Sequence, residues 1–254
     1  MCLIVFAWKV LPAVPLVAAA NRDEFYGRAA APAAPWPEHP QIYAGRDLQA
    51  GGSWMGVTGT GQAASGADGS GAGARFAAIT NIRAPGEHRA DAPSRGQLVA
   101  DFLAGSMNPQ QYVAALRERA HHYNGFNLVL GDRDTLIWYS NRGDADPRNG
   151  QPLAPGVYGV SNALLDAPWP KVVKTKAQFA SLLCLGAPDE AFFEMLSDTA
   201  PAPDQRLPET GVPIELERVL SSVRIDSPGY GTRTSTVVKL YADATASLQE
   251  QLIR

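Results

Sequence analysis

The sequence predicts an α+β fold built mainly of antiparallel sheet. Strand-like segments, apolar and β-branched, bracket a helical middle at both ends of the 254-residue chain. The first two strand segments, and the last two, are joined by short turns, as in hairpins. The steady βαβ alternation of a doubly wound sheet is absent. With no internal repeat and no linker-like stretch, residues 1–254 read as a single domain.

The elements follow in order. "CLIVFAWKV" (2–10) and "PLVAAANRD" (15–23) read as two buried strands joined by a proline-containing turn. The Pro/Ala-rich stretch 29–40 reads as extended chain without regular structure. "GRDLQAGGSWMGV" is glycine-punctuated and enters a strand at Trp54. Residues 58–74 are nearly all small and read as a loop. They are not a phosphate loop, because no Gly-Lys-Ser/Thr follows and a strand comes next. "RFAAITN" (75–81) is a strand. Ser94 is placed to cap a helix running to about Ala104, and Asn108-Pro109 to open the next one over 110–123. Strands follow at "FNLVLG", "TLIWYS" and "GVYGVSN", and helical periodicity marks 169–183, 188–198 and 213–222. "RTSTVVKLY" and "ATASLQEQLI" close the chain as a hairpin.

Composition excludes several function classes. The net charge is −3 with no block of like charges, which argues against a nucleic-acid or anionic-membrane partner. The apolar start reads as a strand hairpin and not as a secretory signal, since nothing basic precedes it, Lys9 falls in its middle and Pro12 and Pro15 break it. It is also too short to span a bilayer. The two cysteines, Cys2 and Cys184, make neither a metal pattern nor a disulfide framework, so a reducing, cytoplasmic setting is expected. Cys184 sits in an apolar helical stretch and reads as a core residue. The histidines His39, His88, His121 and His122 lack zinc spacing, and no Gly-x-Ser-x-Gly elbow occurs. No metal and no cofactor are expected.

That leaves Cys2. Cysteine is small enough for methionine aminopeptidase to remove Met1, and an N-terminal cysteine carries a thiol and its own base. The thiol titrates near ~8.5 and a free α-amine near ~7.7–8.0, so the amine can take the thiol proton without a histidine. A neighbouring arginine lowers the thiol pKa further. In a hairpin the end of strand two, Asn21-Arg22-Asp23-Glu24, lies beside Cys2. Side chains alternate, so Asn21 and Asp23 share one face and Arg22 and Glu24 the other. The competing reading is a cysteine packed as a small hydrophobe beside a solvated charged strand end.

Read together, "MC", "NRDE", "GRDLQAGGSWMG", "ITNIR", "GVSN" and "GTRTST", in that order, resemble the NRDE family, the family of transport and Golgi organisation protein 2, over residues 1 to about 241. That family looks related to N-terminal nucleophile cysteine hydrolases of the penicillin V acylase and bile-salt hydrolase type. The resemblance implies a four-layer αββα sandwich and cleavage of a non-peptide C–N bond through an acyl-thioester on Cys2. Carried over, Arg22 and Arg233 stabilise the thiolate, Asp23 orients the α-amine, and Asn81 and Asn162 supply oxyanion donors. In those amidases two residues separate the Arg from the Asp. Here they are adjacent, which puts them on opposite faces of a regular strand unless a bulge re-aims one. The implied ligand is a small-molecule amide or a lipid-like molecule. The alternative is a non-catalytic haem or lipid carrier on the same fold, with His121, His122 or Cys2 as possible haem ligands, although their spacing does not single them out. The blandest alternative is that "GGSW" and "GTR" serve only as turn and packing devices.

Overall fold

The computed structural model describes residues 2–60 and 73–254. Met1 and most of the small-residue stretch 58–74 therefore lie outside the described residues.

Two sheets carry the fold. The first runs β10 (Asp226–Ser227), β11 (Tyr230–Leu240), β2 (Val14–Phe25), β1 (Cys2–Leu11) and β9 (Gly156–Val160), with β12 (Ala246–Leu252) also paired to β11. The second is a meander in chain order: β3 (Ala30–Trp36), β4 (His39–Asp47), β5 (Met55–Thr58), β6 (Arg75–Asn81), β7 (Phe126–Asp132) and β8 (Leu136–Ser140). Every pairing between these strands is antiparallel.

The near-continuous apolar run of β1 and β2 has a simple cause, since both faces are covered. Alternate residues Ile4, Phe6, Trp8, Leu16 and Ala18 meet Val57, Phe76, Val129 and Trp138 of the second sheet. The intervening Leu3, Val5, Val17 and Ala19 meet Phe179 of α3 (Pro170–Cys184) and Phe192 and Leu196 of α4 (Asp189–Leu196). The outer face of the second sheet packs Ile42, Ala77, Ile79 and Leu128 under α1 (Gly96–Ala104) and α2 (Pro109–Arg119). A last short helix, α5, spans Ile214–Leu220.

Three expectations are corrected. The Pro/Ala-rich stretch is not irregular: it forms the edge strand β3 and the start of β4. An edge strand tolerates Pro32 and Pro35 because one row of its N–H groups needs no ladder partner. Ser94 does not cap α1; Arg95 holds that position and no side chain caps the helix. By contrast, Asn108 caps α2 in a reciprocal pair with Gln111. Cys184 is exposed rather than buried. The packed face of α3 ends at Leu183, and one further residue turns about 100° out of the core.

Candidate active site

The hairpin register puts Cys2 directly opposite Arg22. Opposed residues of an antiparallel pair share a face, so the thiol and the guanidinium both look between the sheets. Arg22 is 5% exposed and lies 4.2 Å from the Trp54 ring. Its Nη1 has no hydrogen-bond partner. Trp54 is seated there because Gly45 leaves room: a Cβ on Gly45 would stand 2.2 Å from the indole. Gly45→Ala is therefore expected to cost about 1–3 kcal/mol by overpacking and to lower the rate of Cys2 alkylation. Thermal melts and timed alkylation of the two proteins check both effects.

Asp23 turns to the other face, as alternation requires. It is 1% exposed and accepts a 2.6 Å bond from Thr232 Oγ1. Burial pushes its carboxyl up, while Lys171 and Thr232 oppose the rise. Asn21, on that same face, donates to the carbonyls of Leu196 and Val223 and accepts from Ser235, tying β2 to the end of α4. Glu24 returns to the Arg22 side, 3.9 Å from Arg28. The four-residue motif thus splits into two outward anchors and two inward charges.

Beneath Asp23, Lys171 is 2% exposed, and its Nζ has no hydrogen-bond partner. Burial pulls its pKa down to about 8, against attraction from Asp23. A lysine in an unfolded chain titrates near ~10.4. Between these values the unfolded state holds the extra proton, so stability rises with pH. The stability of wild type relative to Lys171→Met is expected to increase from about pH 8 to about pH 10.4 and to be flat on either side. Urea titrations across that range measure it.

Burial also pushes the Cys2 thiol up. Asp23 adds to the rise, while the Arg22 charge and a bond from the Asp23 backbone N–H oppose it. A thiol held this way needs a base at hand to become a nucleophile.

The two sheets are clasped just beside Cys2. Ser161, following β9, donates to the Cys2 carbonyl at 2.8 Å and to Asn162 Oδ1 at 3.1 Å. Asn162 Nδ2 donates to the backbone carbonyl and to Oδ1 of Asn81, at 3.0 and 3.1 Å. Both N–H bonds of Asn162 are thus committed, and it positions Asn81. Asn81 lines the cleft, and both bonds from Asn162 fall on its oxygens. Arg233 is not brought to the thiol. It is the extra residue of a bulge, since Thr232 opposes Asp23 and Thr234 opposes Arg22. Its guanidinium donates to the carbonyls of Phe25, Tyr26, Arg28 and Arg254, fastening the turn after β2 to the chain end.

Cys2, Arg22, Glu24 and Asn81 open on a cleft of about 460 Å³, walled also by Trp54, His88, Arg89 and Arg95. His121 and His122 do not line it. Both are exposed, and their carbonyls accept from Arg89. Among the described residues, no group of three His, Cys, Asp or Glu is placed to hold a metal ion.

The sequence profile of the Transport and Golgi organisation 2 family matches residues 1–254. The chain belongs to that family. It is similar to the Transport and Golgi organization protein 2 homologs of Bos taurus (34% identical) and Homo sapiens (32%), each over 99% of this chain and 92% of the relative. The Drosophila melanogaster Transport and Golgi organization protein 2 is 29% identical over 94% of this chain and 87% of its own length. In this member of the Transport and Golgi organisation 2 family, sequence reasoning missed Arg95, Ser161 and Lys171. Ser161 had a signal in "GVSN", as the neighbour of an expected site residue. Arg95 and Lys171 had none, because each reaches the site from a helix start remote in sequence from Cys2. No helix among the described residues is long and apolar enough to cross a membrane.

Proposed function

We propose that the protein is an N-terminal cysteine amidohydrolase acting on a non-peptide amide, with Cys2 as nucleophile once Met1 is removed. The carrying observation is the placement of Cys2 opposite the buried Arg22, whose Nη1 has no hydrogen-bond partner, at the wall of the cleft that Asn81 also lines. The succession of two helices, sheet, sheet and two helices supports reading the fold as the αββα sandwich of N-terminal nucleophile hydrolases.

The steps follow from the groups present. The freed α-amine takes the thiol proton, and Asp23 holds the resulting ammonium. Arg22 stabilises the thiolate, which attacks the amide carbonyl. Asn81 Nδ2, aimed by Asn162, donates to the oxyanion, an interaction worth roughly 2.7–4 kcal/mol in comparable sites. The ammonium then gives its proton to the departing amine, leaving an acyl-thioester. Water, deprotonated by the same amine, hydrolyses the thioester and frees Cys2. Arg233 contributes by holding the turn after β2 and not by touching the thiolate.

Intact mass before and after exposure to a cysteine-directed acylating probe, with peptide mass to separate Cys2 from the exposed Cys184, tests this reading. A chain lacking one methionine and acylated at Cys2 at neutral pH is expected. A chain that keeps Met1 and leaves Cys2 unlabelled overturns self-activated catalysis and turns attention to ligand carriage.

A further inference from the structure

The charges facing the cleft do not balance locally. Three carboxylate residues, Asp23, Glu24 and Asp47, line it, and the last two make their ion pairs with one cation, Arg28. Asp47 Oδ2 lies 2.8 Å from Arg28 Nε and Nη2, while its Oδ1 accepts from the backbone of Gln49 and Ala50. Glu24 stands 3.9 Å from the same Arg28. Asp23 is turned away, toward Thr232.

Three other guanidiniums line the cleft without an ion pair; Arg89 is exposed and donates to the carbonyls of His121 and His122, which leaves Arg22 and Arg95. Arg22 is buried, with Nη1 unpartnered and the Trp54 ring against its plane, and it feels Cys2, Glu24 and Asp47 only as electrostatic neighbours outside an ion pair. Arg95, at the start of α1, makes one bond, from Nη1 to the Gly125 carbonyl at 3.0 Å, and its electrostatic neighbours are Cys2, Glu24 and Arg28. The glycine turn before Trp54 holds this helix start in place. Ser53 N–H donates to the Gly96 carbonyl, and a Cβ on Gly52 would strike Gly96 at 2.4 Å.

A buried guanidinium in contact with no anion, as at Arg22, is costly unless a ligand completes it, and half-buried Arg95 stands beside it, likewise in no ion pair. We infer that the cleft beside Cys2 takes a substrate bearing a carboxylate, and that Arg95 is the residue that selects it. The inference rests on reading this cleft as the substrate site. A carboxylate fits better than a phosphate because Glu24 and Asp47 repel a dianion more than a monoanion. With Arg22 serving the thiolate, Arg95 is the fork free to hold the second charge.

Alkylation of the full chain by iodoacetate and iodoacetamide tests this, with rates read by peptide mass at Cys2 and at the exposed Cys184. The two reagents differ in one charge, and Cys184 is the internal reference. Taking the rate ratio cancels changes in thiolate population. The iodoacetate-to-iodoacetamide ratio at Cys2 is expected to exceed that at Cys184 by about tenfold, as one charge-assisted hydrogen bond supplies. Arg95→Gln should bring it down toward the reference. Equal ratios at the two cysteines, or no change in Arg95→Gln, overturn the carboxylate inference while Cys2 remains a competent nucleophile. If Cys2 reacts with neither reagent, the nucleophile reading fails by itself. Thermal shift then decides the inference: N-acetylglycine should raise the Tm of wild type but not of Arg95→Gln, and N-acetylglycinamide should raise neither. Equal response to the acid and the amide overturns it.

Discussion

In a Cys184→Ser background, which removes the exposed thiol, Cys2→Ser is expected to lower acyl transfer from the probe by at least about 10³-fold, in line with removal of other covalent nucleophiles. The Tm should stay within about 1 °C, because the change swaps one half-buried atom at the end of a strand. The geometry separates the two effects. Cys2 pairs with Arg22 through the backbone ladder, and the bond from Ser161 reaches the Cys2 carbonyl, not its side chain. The substitution therefore leaves the clasp of Ser161, Asn162 and Asn81 intact. What is lost is the acidity of the group facing Arg22, since a hydroxyl is far harder to ionise than a thiol. Single-turnover acylation followed by mass, alongside a thermal melt, reads both quantities. Retention of transfer within tenfold of wild type would show that another group is the nucleophile.

The largest stability effect is expected at Glu217, far from the thiol in sequence. Glu217 and Arg83 form an ion pair at 2.5 Å, with side chains 3% and 6% exposed. Glu217 Oε1 also accepts from the backbone and hydroxyl of Thr210, and Arg83 lies 4.6 Å from the Trp169 ring. Two further nitrogens of Arg83 are already buried without partners. Glu217→Ala strands the remaining charge in the interior and is expected to cost about 3–5 kcal/mol. For a chain of this size that is a fall in Tm on the order of 10 °C. Glu217→Gln keeps an acceptor and should lose less. The Arg83 backbone N–H donates to the Asn162 carbonyl at 2.8 Å, so the loosened segment reaches the residue that aims Asn81. Urea unfolding of both variants checks the cost, and a loss under 1 kcal/mol would mean that water reaches Arg83.

Much of the local structure was legible in the order of residues. Strand period and turn residues place β1, β2, β6 and β7 within a residue or two, and Asn108-Pro109 marks the start of α2. The opposite faces of Arg22 and Asp23 follow from alternation alone, and the structure keeps them because the β2–β1 register has no bulge at that point. The bulge lies on the neighbouring strand β11, at Arg233, and it sends that side chain to the turn after β2. A bulge depends on how two strands of different length meet, which neither strand encodes by itself. The edge strand β3 escaped detection because its prolines mark irregular chain in general and become acceptable only where one side is unpaired.

What the sequence by itself determined is the set of periodicities, caps and turns, and with them the hairpin that brings the NRDE motif beside Cys2. These depend on neighbours a few residues apart, where steric and hydrogen-bond preferences act without the rest of the fold. Only the tertiary structure decided which distant groups complete the cleft. Arg95 arrives on a helix start locked by the turn before Trp54, and Asn81 is aimed across the gap between the sheets by Asn162. Such contacts follow from how two sheets and their covering helices fill space together, and close packing over the whole core fixes that arrangement.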